Sequence, residues 1–245
     1  DVFVNAQGLY LASDINDCVV EHNIIRNPSR MGLEFTSVAY DVGEFMPMER
    51  NKILNNTVLN AGSMGISATY GDGYHITDNT VDEAGSIGIE SSNGSTLGES
   101  NGVCRTIIRG NVIRGITSPT FATGISCDQS VGDIVEGNRI ENVSSDFTGS
   151  GAWAYARGVI VYRALRAQIR GNFFEHVNGT GVFVQPAGLT GTTLQAIIEG
   201  NTFRVTADDI RALNAVVSQG CSCVVRNNTA FEPAGGPSTN KFETQ

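Results

Sequence analysis

One short pattern recurs eight times along the chain and constrains its fold more than any other feature. Each copy reads apolar-x-x-Asn-x-apolar, and consecutive asparagines lie 23 to 34 residues apart. The eight asparagines are Asn23, Asn56, Asn79, Asn111, Asn138, Asn172, Asn201 and Asn228. A repeat of this length indicates a small structural unit that stacks on copies of itself and buries a continuous core.

The residue before each repeated asparagine predicts a tight bend. Seven of the eight are Gly, Asn or Asp, which tolerate a positive φ angle better than other residues. The eight are His22, Asn55, Asp78, Gly110, Gly137, Gly171, Gly200 and Asn227. We therefore expect the same corner in every turn of the repeat. The asparagine that follows can hydrogen-bond the backbone of neighbouring turns, which indicates a structural role for all eight.

A glycine followed by Leu, Ile or Val marks the start of a second strand in seven turns. These glycines are Gly8, Gly32, Gly65, Gly88, Gly124, Gly158 and Gly181. Alternate side chains of a strand point to opposite faces, so every second residue is predicted to face the core. The predicted core residues on four of these strands are Leu33, Phe35, Ile66, Ala68, Ile89, Ser91, Ile125 and Cys127.

Charged residues alternate in sign two positions before five consecutive repeated asparagines. They are Arg109, Glu136, Arg170, Glu199 and Arg226. Neighbouring strands lie about 4.8 Å apart, so opposite charges at one position of successive turns form stacked pairs. The pattern predicts a single outward file of ion pairs, each stabilising the fold by about 0–1 kcal/mol, that fixes the register.

These patterns predict an all-β fold, a right-handed single-stranded parallel β-helix of about eight coils with loop insertions. The composition agrees, because 29 glycines and only 17% charged residues indicate a β-rich chain with frequent turns. A β-sandwich can show similar strands, but not one asparagine corner repeated eight times. We expect the β-helix domain to span residues 1–232 and a C-terminal tail to span residues 233–245.

On these repeats the chain resembles the parallel β-helix families, whose pectate-lyase-like fold is shared by polysaccharide lyases, glycosidases, C5-epimerases and phage tailspikes. The resemblance covers roughly residues 5–230 and is greatest to a tailspike or polysaccharide depolymerase. It implies a long polysaccharide as partner, but the repeat itself says almost nothing about the reaction. The epimerase signature Asp-Pro-His and the polygalacturonase-type Asn-Thr-Asp and Gly-His-Gly are absent, which disfavours those two activities.

Loop insertions locate a candidate groove. They precede or follow the glycine-initiated strands at Ser37–Arg50, Ser91–Val103, Ile116–Thr123, Val143–Arg157 and Pro186–Gln195. Loops on a rigid scaffold carry function. Both edges of one sheet are therefore predicted to be walled, which leaves its outward face as the floor of a groove that suits a polymer.

Three carboxylates, Glu34, Glu90 and Asp128, are predicted to share that floor. Glu90 and Asp128 fall on adjacent coils one outward step apart, about 8 Å from one another. This spacing fits the acid and base of an inverting glycosidase. We expect Glu90 to be the acid, with burial under the loops raising its pKa more than Glu34 does. The residues predicted to bind substrate are Glu34, Thr36, Thr69, Tyr162, Trp153 and Tyr40.

Simpler interpretations of the same residues stay open. Exposed carboxylates on a polar sheet face often only keep a protein soluble. Aromatic side chains such as Trp153 and Tyr40 can stack on sugars, but they can equally pin loops to the scaffold. The three histidines, His22, His75 and His176, do not fall in one column, so no metal site and no cofactor are predicted.

The expected function is hydrolysis of a bacterial surface or matrix polysaccharide, on a virion tail or elsewhere outside the cell. One alternative is a polysaccharide lyase, which needs a cationic group in the groove, with Arg157 and Arg163 as the nearest candidates. Another is a β-helix that binds glycan or is purely structural. Reducing ends, ultraviolet-absorbing unsaturated products and the absence of product distinguish the three.

Charge and hydrophobicity limit the other partners. A net charge of −9 disfavours nucleic acid, since phosphates bind clusters of Lys and Arg. No apolar stretch reaches the roughly 18 residues of a membrane span. A homotrimer is expected, because the outward apolar residues Ile160 and Phe183 need a cover. The cysteines are odd in number and irregularly spaced. This predicts free thiols at Cys18, Cys104, Cys127, Cys221 and Cys223.

Overall fold

The chain winds through three parallel β-sheets, contributing one strand to each sheet in every coil. The computed structural model describes residues 7–12, 15–36, 48–92, 105–146, 156–185, 195–204, 214–218, 222–231 and 242–244. Every strand pair within these ranges is parallel. We call the three sheets A, B and C in the order in which the chain enters them, and after sheet C the chain returns to sheet A. None of the described residues belongs to a helix with the length and hydrophobicity for crossing a membrane.

Sheet A is the largest, with nine strands. In order they are β1 (Leu9–Ala12), β4 (Leu33–Thr36), β8 (Met64–Thr69), β12 (Ile87–Ser92), β15 (Ala122–Asp128), β18 (Ala156–Tyr162), β21 (Thr180–Gln185), β24 (Asn214–Ser218) and β27 (Phe242–Thr244). The last of them lies inside the 233–245 segment expected to be a tail, and it pairs with β24.

Sheets B and C have eight strands each. Sheet B comprises β2 (Val19–Glu21), β6 (Lys52–Leu54), β10 (His75–Thr77), β13 (Ile107–Arg109), β16 (Ile134–Glu136), β19 (Ala167–Arg170), β22 (Gln195–Glu199) and β25 (Ser222–Arg226). Sheet C comprises β3 (Ile24–Arg26), β7 (Thr57–Ala61), β11 (Thr80–Ala84), β14 (Val112–Ser118), β17 (Arg139–Ser145), β20 (Phe173–Val177), β23 (Thr202–Arg204) and β26 (Thr229–Phe231). A small pair, β5 (Met48–Glu49) and β9 (Gly71–Asp72), lies between sheets A and B.

The repeated asparagines form the predicted ladder between sheets B and C. The Oδ1 atom of each asparagine from Asn56 onward accepts two hydrogen bonds, of 2.9–3.1 Å, from the main-chain and side-chain N–H groups of the asparagine one coil earlier. Its own side-chain N–H donates to a carbonyl of that earlier coil, as Asn56 does to Val20. All eight preceding residues have φ between 53° and 65°, so the predicted corner is confirmed.

A second corner of the same kind was not predicted. Four residues after each of six ladder asparagines, a residue again has positive φ: Asn27, Asn60, Glu83, Gly115, Asn142 and His176. This corner turns the chain from sheet C towards sheet A. Four of the six residues are Asn or Gly, so the spacing from the ladder was a usable signal in the sequence.

The predicted core is confirmed. All eight core residues expected from the alternation on sheet A are buried and form part of one continuous interior. The glycines that start these strands lie where sheet C packs against sheet A. A Cβ atom on Gly65 would lie 2.3 Å from Val81 Cγ1 and 2.6 Å from the Gly88 carbonyl oxygen, so a side chain does not fit there.

The charged file on sheet B is also confirmed. Arg109, Glu136, Arg170, Glu199 and Arg226 are paired in register on successive strands. Ion-pair distances are 2.7 Å for Arg109–Glu136, 3.3 Å for Arg170–Glu199 and 2.6 Å for Arg226–Glu199. A further file on sheet C, which the sequence analysis missed, includes Arg114–Asp82 at 2.7 Å and Arg204–Glu175 at 2.9 Å.

Two predictions concern the outward apolar residues of sheet A and the cysteines. Ile160 and Phe183 point outward from sheet A, but they are only 8% and 2% exposed within the single chain. The argument that a partner subunit must cover them is therefore wrong, and the homotrimer stays a prediction without that support. Among the described residues, Cys18, Cys127 and Cys223 are in no disulfide bond, as expected, whereas Cys104 and Cys221 lie outside the described residues.

Candidate functional site

The outward face of sheet A carries the two files of side chains that the alternation predicted. The first file runs through Tyr10, Glu34, Ser67, Glu90, Ser126, Ile160 and Phe183, each paired in register with the next. The second includes Thr69, Ser92, Asp128, Tyr162 and Gln185. Glu90 and Asp128 consequently lie on adjacent strands, with Asp128 two residues beyond the partner of Glu90.

Glu90 is half-buried between two serines, Ser67 on one neighbouring strand and Ser126 on the other. Burial is the largest cause that raises the pKa of its carboxyl, and the negative charges of Asp128 and Glu34 add to it. Ser67 Oγ donates a 2.9 Å hydrogen bond to Glu90 Oε2, which lowers the pKa and opposes part of that rise. Glu34 is the smallest of these contributions, in line with the expectation that burial outweighs it.

Asp128 is the last residue of β15 and is aligned with Ser92 and Tyr162. Burial raises the pKa of its carboxyl above the ordinary value. A hydrogen bond from Gln129 and the positive charge of Arg163 both act in the opposite direction. Its Oδ1 atom is buried and has no hydrogen-bond partner among the described residues.

The other predicted binding residues fall at different distances from this pair. Glu34 is on the file of Glu90 with Ser67 between them, and its Oε2 accepts a 2.9 Å hydrogen bond from Gln7. The Thr69 hydroxyl donates to the Phe35 carbonyl, at 3.2 Å, which ties it to the sheet.

Tyr162 and Thr36 lie on the same outward face. Tyr162 neighbours Asp128 in register, whereas Thr36 ends β4 nearer the N-terminal end of the sheet. Trp153 and Tyr40 lie outside the described residues.

Two arginines belong to the coil of β18, Arg157 near the start of the strand and Arg163 directly after its end. The guanidinium of Arg157 lies 5.3 Å from the Phe183 ring centroid, and that of Arg163 lies 4.8 Å from the Tyr162 ring centroid. Of these two arginines, Arg163 is the one whose positive charge lowers the pKa of the Asp128 carboxyl. It therefore brings a positive charge to the candidate pair. The described residues contain no group of three His, Cys, Asp or Glu side chains placed to hold a metal ion.

The arrangement suits proton transfer by two carboxyls with different environments. Burial raises the pKa of both carboxyls; the negative charges of Asp128 and Glu34 raise that of Glu90 further, whereas Gln129 and Arg163 act against the rise for Asp128. The sequence analysis did not anticipate Ser67 or Gln129 as partners of this pair. Ser67 was recoverable from the alternation, but Gln129 stands at a corner, beyond the strand pattern.

A comparison with protein families agrees with this fold. The family model described as "Right handed beta helix region" matches residues 45–230. No curated protein sequence matches the chain. A solved structure, "Structure of the Streptococcus pneumoniae surface protein and adhesin PfbA", is similar at 9% identity, covering 96% of this chain and 92% of that one. Its TM-score of 0.28 is too low to support an inference about function. The family match spans well over half of the residues, and the chain therefore belongs to the right-handed β-helix family.

Proposed function

We propose that the chain hydrolyses a polysaccharide held along the outward face of sheet A, with Glu90 as general acid and Asp128 as general base. The observation that carries this proposal is the placement of two half-buried carboxyls on adjacent strands of one face, of which only Asp128 has a nearby arginine that lowers its pKa. Pairs of carboxyls whose pKa values are separated by their surroundings are the usual means of acid–base hydrolysis near neutral pH.

The reaction follows from the two roles. Protonated Glu90 donates its proton to the glycosidic oxygen, so that the bond from this oxygen to the anomeric carbon breaks and the leaving sugar departs as an alcohol. Asp128 removes a proton from a water molecule, and the water oxygen attacks the anomeric carbon from the opposite side. The expected separation of about 8 Å leaves room for that water and implies inversion at the anomeric carbon.

The substrate that we propose is a bacterial surface or matrix polysaccharide. Successive strands of sheet A present outward side chains at matching positions, so a polymer can contact several coils in turn. In the sequence, loop insertions lie at both edges of this sheet. We favour a phage tailspike as the biological setting, on a virion tail or elsewhere outside the cell, because bacterial surface and matrix polysaccharides lie outside the cell.

The test compares matched carboxylate variants on a panel of bacterial capsules and lipopolysaccharides. We expect Glu90→Gln and Asp128→Asn to fold normally and to lose at least 100-fold in turnover, the usual loss when a general acid or base is removed. Glu34→Gln should mainly weaken binding, and Glu136→Gln on sheet B should leave cleavage unchanged. Products are detected by mass and by reducing ends. Cleavage near the wild-type rate by either Glu90→Gln or Asp128→Asn would contradict the assignment.

A lyase is the second candidate, and the position of Arg163 beside Asp128 favours it. In that reaction the base removes a proton next to a uronic carboxylate, and a cation neutralises the charge that develops. An ultraviolet-absorbing product from the same panel would favour the lyase. Retention of glycan without any product would instead indicate a binding β-helix.

A further inference from the structure

We infer that a cavity on the outward face of sheet B binds an acidic sugar, with the guanidinium of Arg166 holding its anionic group. The cavity has a volume of about 810 Å³. Sites for small ligands span about 300–1,000 Å³. The inference goes beyond the proposed function, because the cavity lies on a different face from Glu90 and Asp128. Its lining includes Arg166, Gln168, Gln195, Ile197, Ser222 and Val224.

Three successive coils build the floor of this cavity. Gln168 on β19, Ile197 on β22 and Val224 on β25 are paired in register. Gln195 and Ser222 form a second registered pair beside them. Neighbouring strands lie about 4.8 Å apart, so three coils extend about 10 Å along the axis. All five residues are exposed or half-buried, so a ligand in solution can reach them.

The charges around the cavity favour an anionic ligand, although the whole chain has a net charge of −9. Arg170 and Arg226 both pair with Glu199, at 3.3 Å and 2.6 Å. These three are the charged residues of β19, β22 and β25. Arg166 is exposed and forms no ion pair with another residue that the structure describes. Its planar guanidinium is therefore available to a carboxylate or a sulfate, which it can bind through two hydrogen bonds.

The rest of the lining suits a sugar ring. Ile197 and Val224 offer an apolar surface to the C–H groups of the ring, and Val224 is 49% exposed. The side chains of Gln168, Gln195 and Ser222 make no hydrogen bond with other described residues. Amides and hydroxyls both donate and accept hydrogen bonds, as sugar hydroxyls do. A few polar groups around an apolar surface are typical of a ligand site.

Isothermal titration calorimetry tests the inference on the full chain carrying Glu90→Gln, so that no probe is cleaved. Tetragalacturonate carries carboxylates and a κ-carrageenan tetrasaccharide carries sulfates. Maltotetraose is an uncharged sugar, and tetraglutamate is an acidic peptide. We expect at least one of the two acidic tetrasaccharides to bind at least tenfold more tightly than maltotetraose or tetraglutamate. Which of the two binds identifies the anionic group.

Variants locate that binding in the cavity. Arg166→Met should weaken it about tenfold or more, because the charge-assisted hydrogen bonds are lost. Val224→Asp should also weaken it, since it places a negative charge in the cavity. Arg105→Met is the matched control. Arg105 stands at the same corner of an earlier coil, six residues before a ladder asparagine as Arg166 is, but outside the cavity lining. This change should leave the affinity unaltered.

Three results would overturn the inference: no binding of either acidic tetrasaccharide, equally tight binding of maltotetraose or tetraglutamate, or an affinity that Arg166→Met does not change. The cavity and the reaction fail separately. If Glu90→Gln abolishes cleavage of a capsule while Arg166→Met leaves tetrasaccharide binding unchanged, the inference is wrong and the proposed function stands. If Arg166→Met weakens binding but the wild-type protein cleaves no glycan of the panel, the reverse holds.

Discussion

At the scale of single residues, Asp133 places an ionisable carboxyl in the interior. It is fully buried just before β16, and its Oδ1 accepts a 2.9 Å hydrogen bond from the Thr106 N–H. Burial raises the pKa of its carboxyl, while Ser130 and Ser91 act against that rise. Because Oδ2 has no hydrogen-bond partner of good geometry among the described residues, these neighbours offset burial only in part. The carboxyl is thus stabilised in its protonated form.

Replacing Asp133 with Asn should stabilise the protein at neutral pH. Asn51 shows that an amide fits this place, since its Oδ1 accepts the Cys18 N–H at 2.9 Å just before β6. The folded pKa of Asp133 lies above its unfolded value, so its contribution to stability is full below the unfolded pKa and is lost as pH rises through the folded pKa. We expect Asp133→Asn to gain about 1–3 kcal/mol at pH 7, the usual cost of an unsatisfied buried group.

Urea unfolding of the wild-type and Asp133→Asn proteins from pH 4 to pH 8 checks this. The gain should grow as pH rises and should be smallest at pH 4. A variant less stable than the wild type at pH 7, or a difference that does not change with pH, would contradict the interpretation of this carboxyl.

At the scale of elements, the corner before the asparagine ladder sets the shape of each coil. Gly137 has φ of +62°, and a Cβ atom built on it would have no other atom within 4 Å. A side chain therefore fits in space, and only the backbone conformation opposes it. We expect Gly137→Val to destabilise the fold by about 1–2 kcal/mol or more, because a β-branched residue resists this conformation.

Gly137→Asn is the matched control, since Asn55 and Asn227 occupy the same corner with φ of 53° and 55°. Its cost should be well below that of Gly137→Val when both are measured by thermal unfolding. Equal stability of the Val variant and the wild type would mean that this corner does not constrain the coil.

The features that were predicted correctly from the sequence are those in which one position of every coil requires a particular kind of residue. The ladder asparagines, the strand-starting glycines and the charged file on sheet B are of this kind. The second corner was missed although four of its six residues are Asn or Gly, because only its spacing from the ladder marks it and because Glu83 and His176 break the residue pattern. The charge pairs on sheet C lie in register, three residues after the ladder asparagines, and they were missed because the sign of the charge does not alternate there: Glu141 is paired with Glu175.

At the scale of the whole molecule, parallel stacking makes the chain a rod of successive coils with polar side chains on the outward face of each sheet, and the candidate site lies on the face of sheet A. The alternation of side chains along the strands was sufficient to place Glu34, Glu90 and Asp128 on that face. It could not reveal that Ile160 and Phe183 are buried within the single chain, because the alternation gives the face on which a side chain lies and not how far its neighbours bury it. Neither could it reveal Gln129 and Arg163, whose positions depend on the corner that follows β15 and β18.

The stereochemistry of cleavage tests the central claim most directly. Proton NMR, recorded while a capsule or lipopolysaccharide from the panel is being degraded, identifies the anomer of the first product before it equilibrates. With Glu90 and Asp128 about 8 Å apart as acid and base, the account predicts a product of inverted configuration. A product of retained configuration, which requires carboxyls about 5 Å apart, or the vinyl signal of an unsaturated sugar, would contradict it.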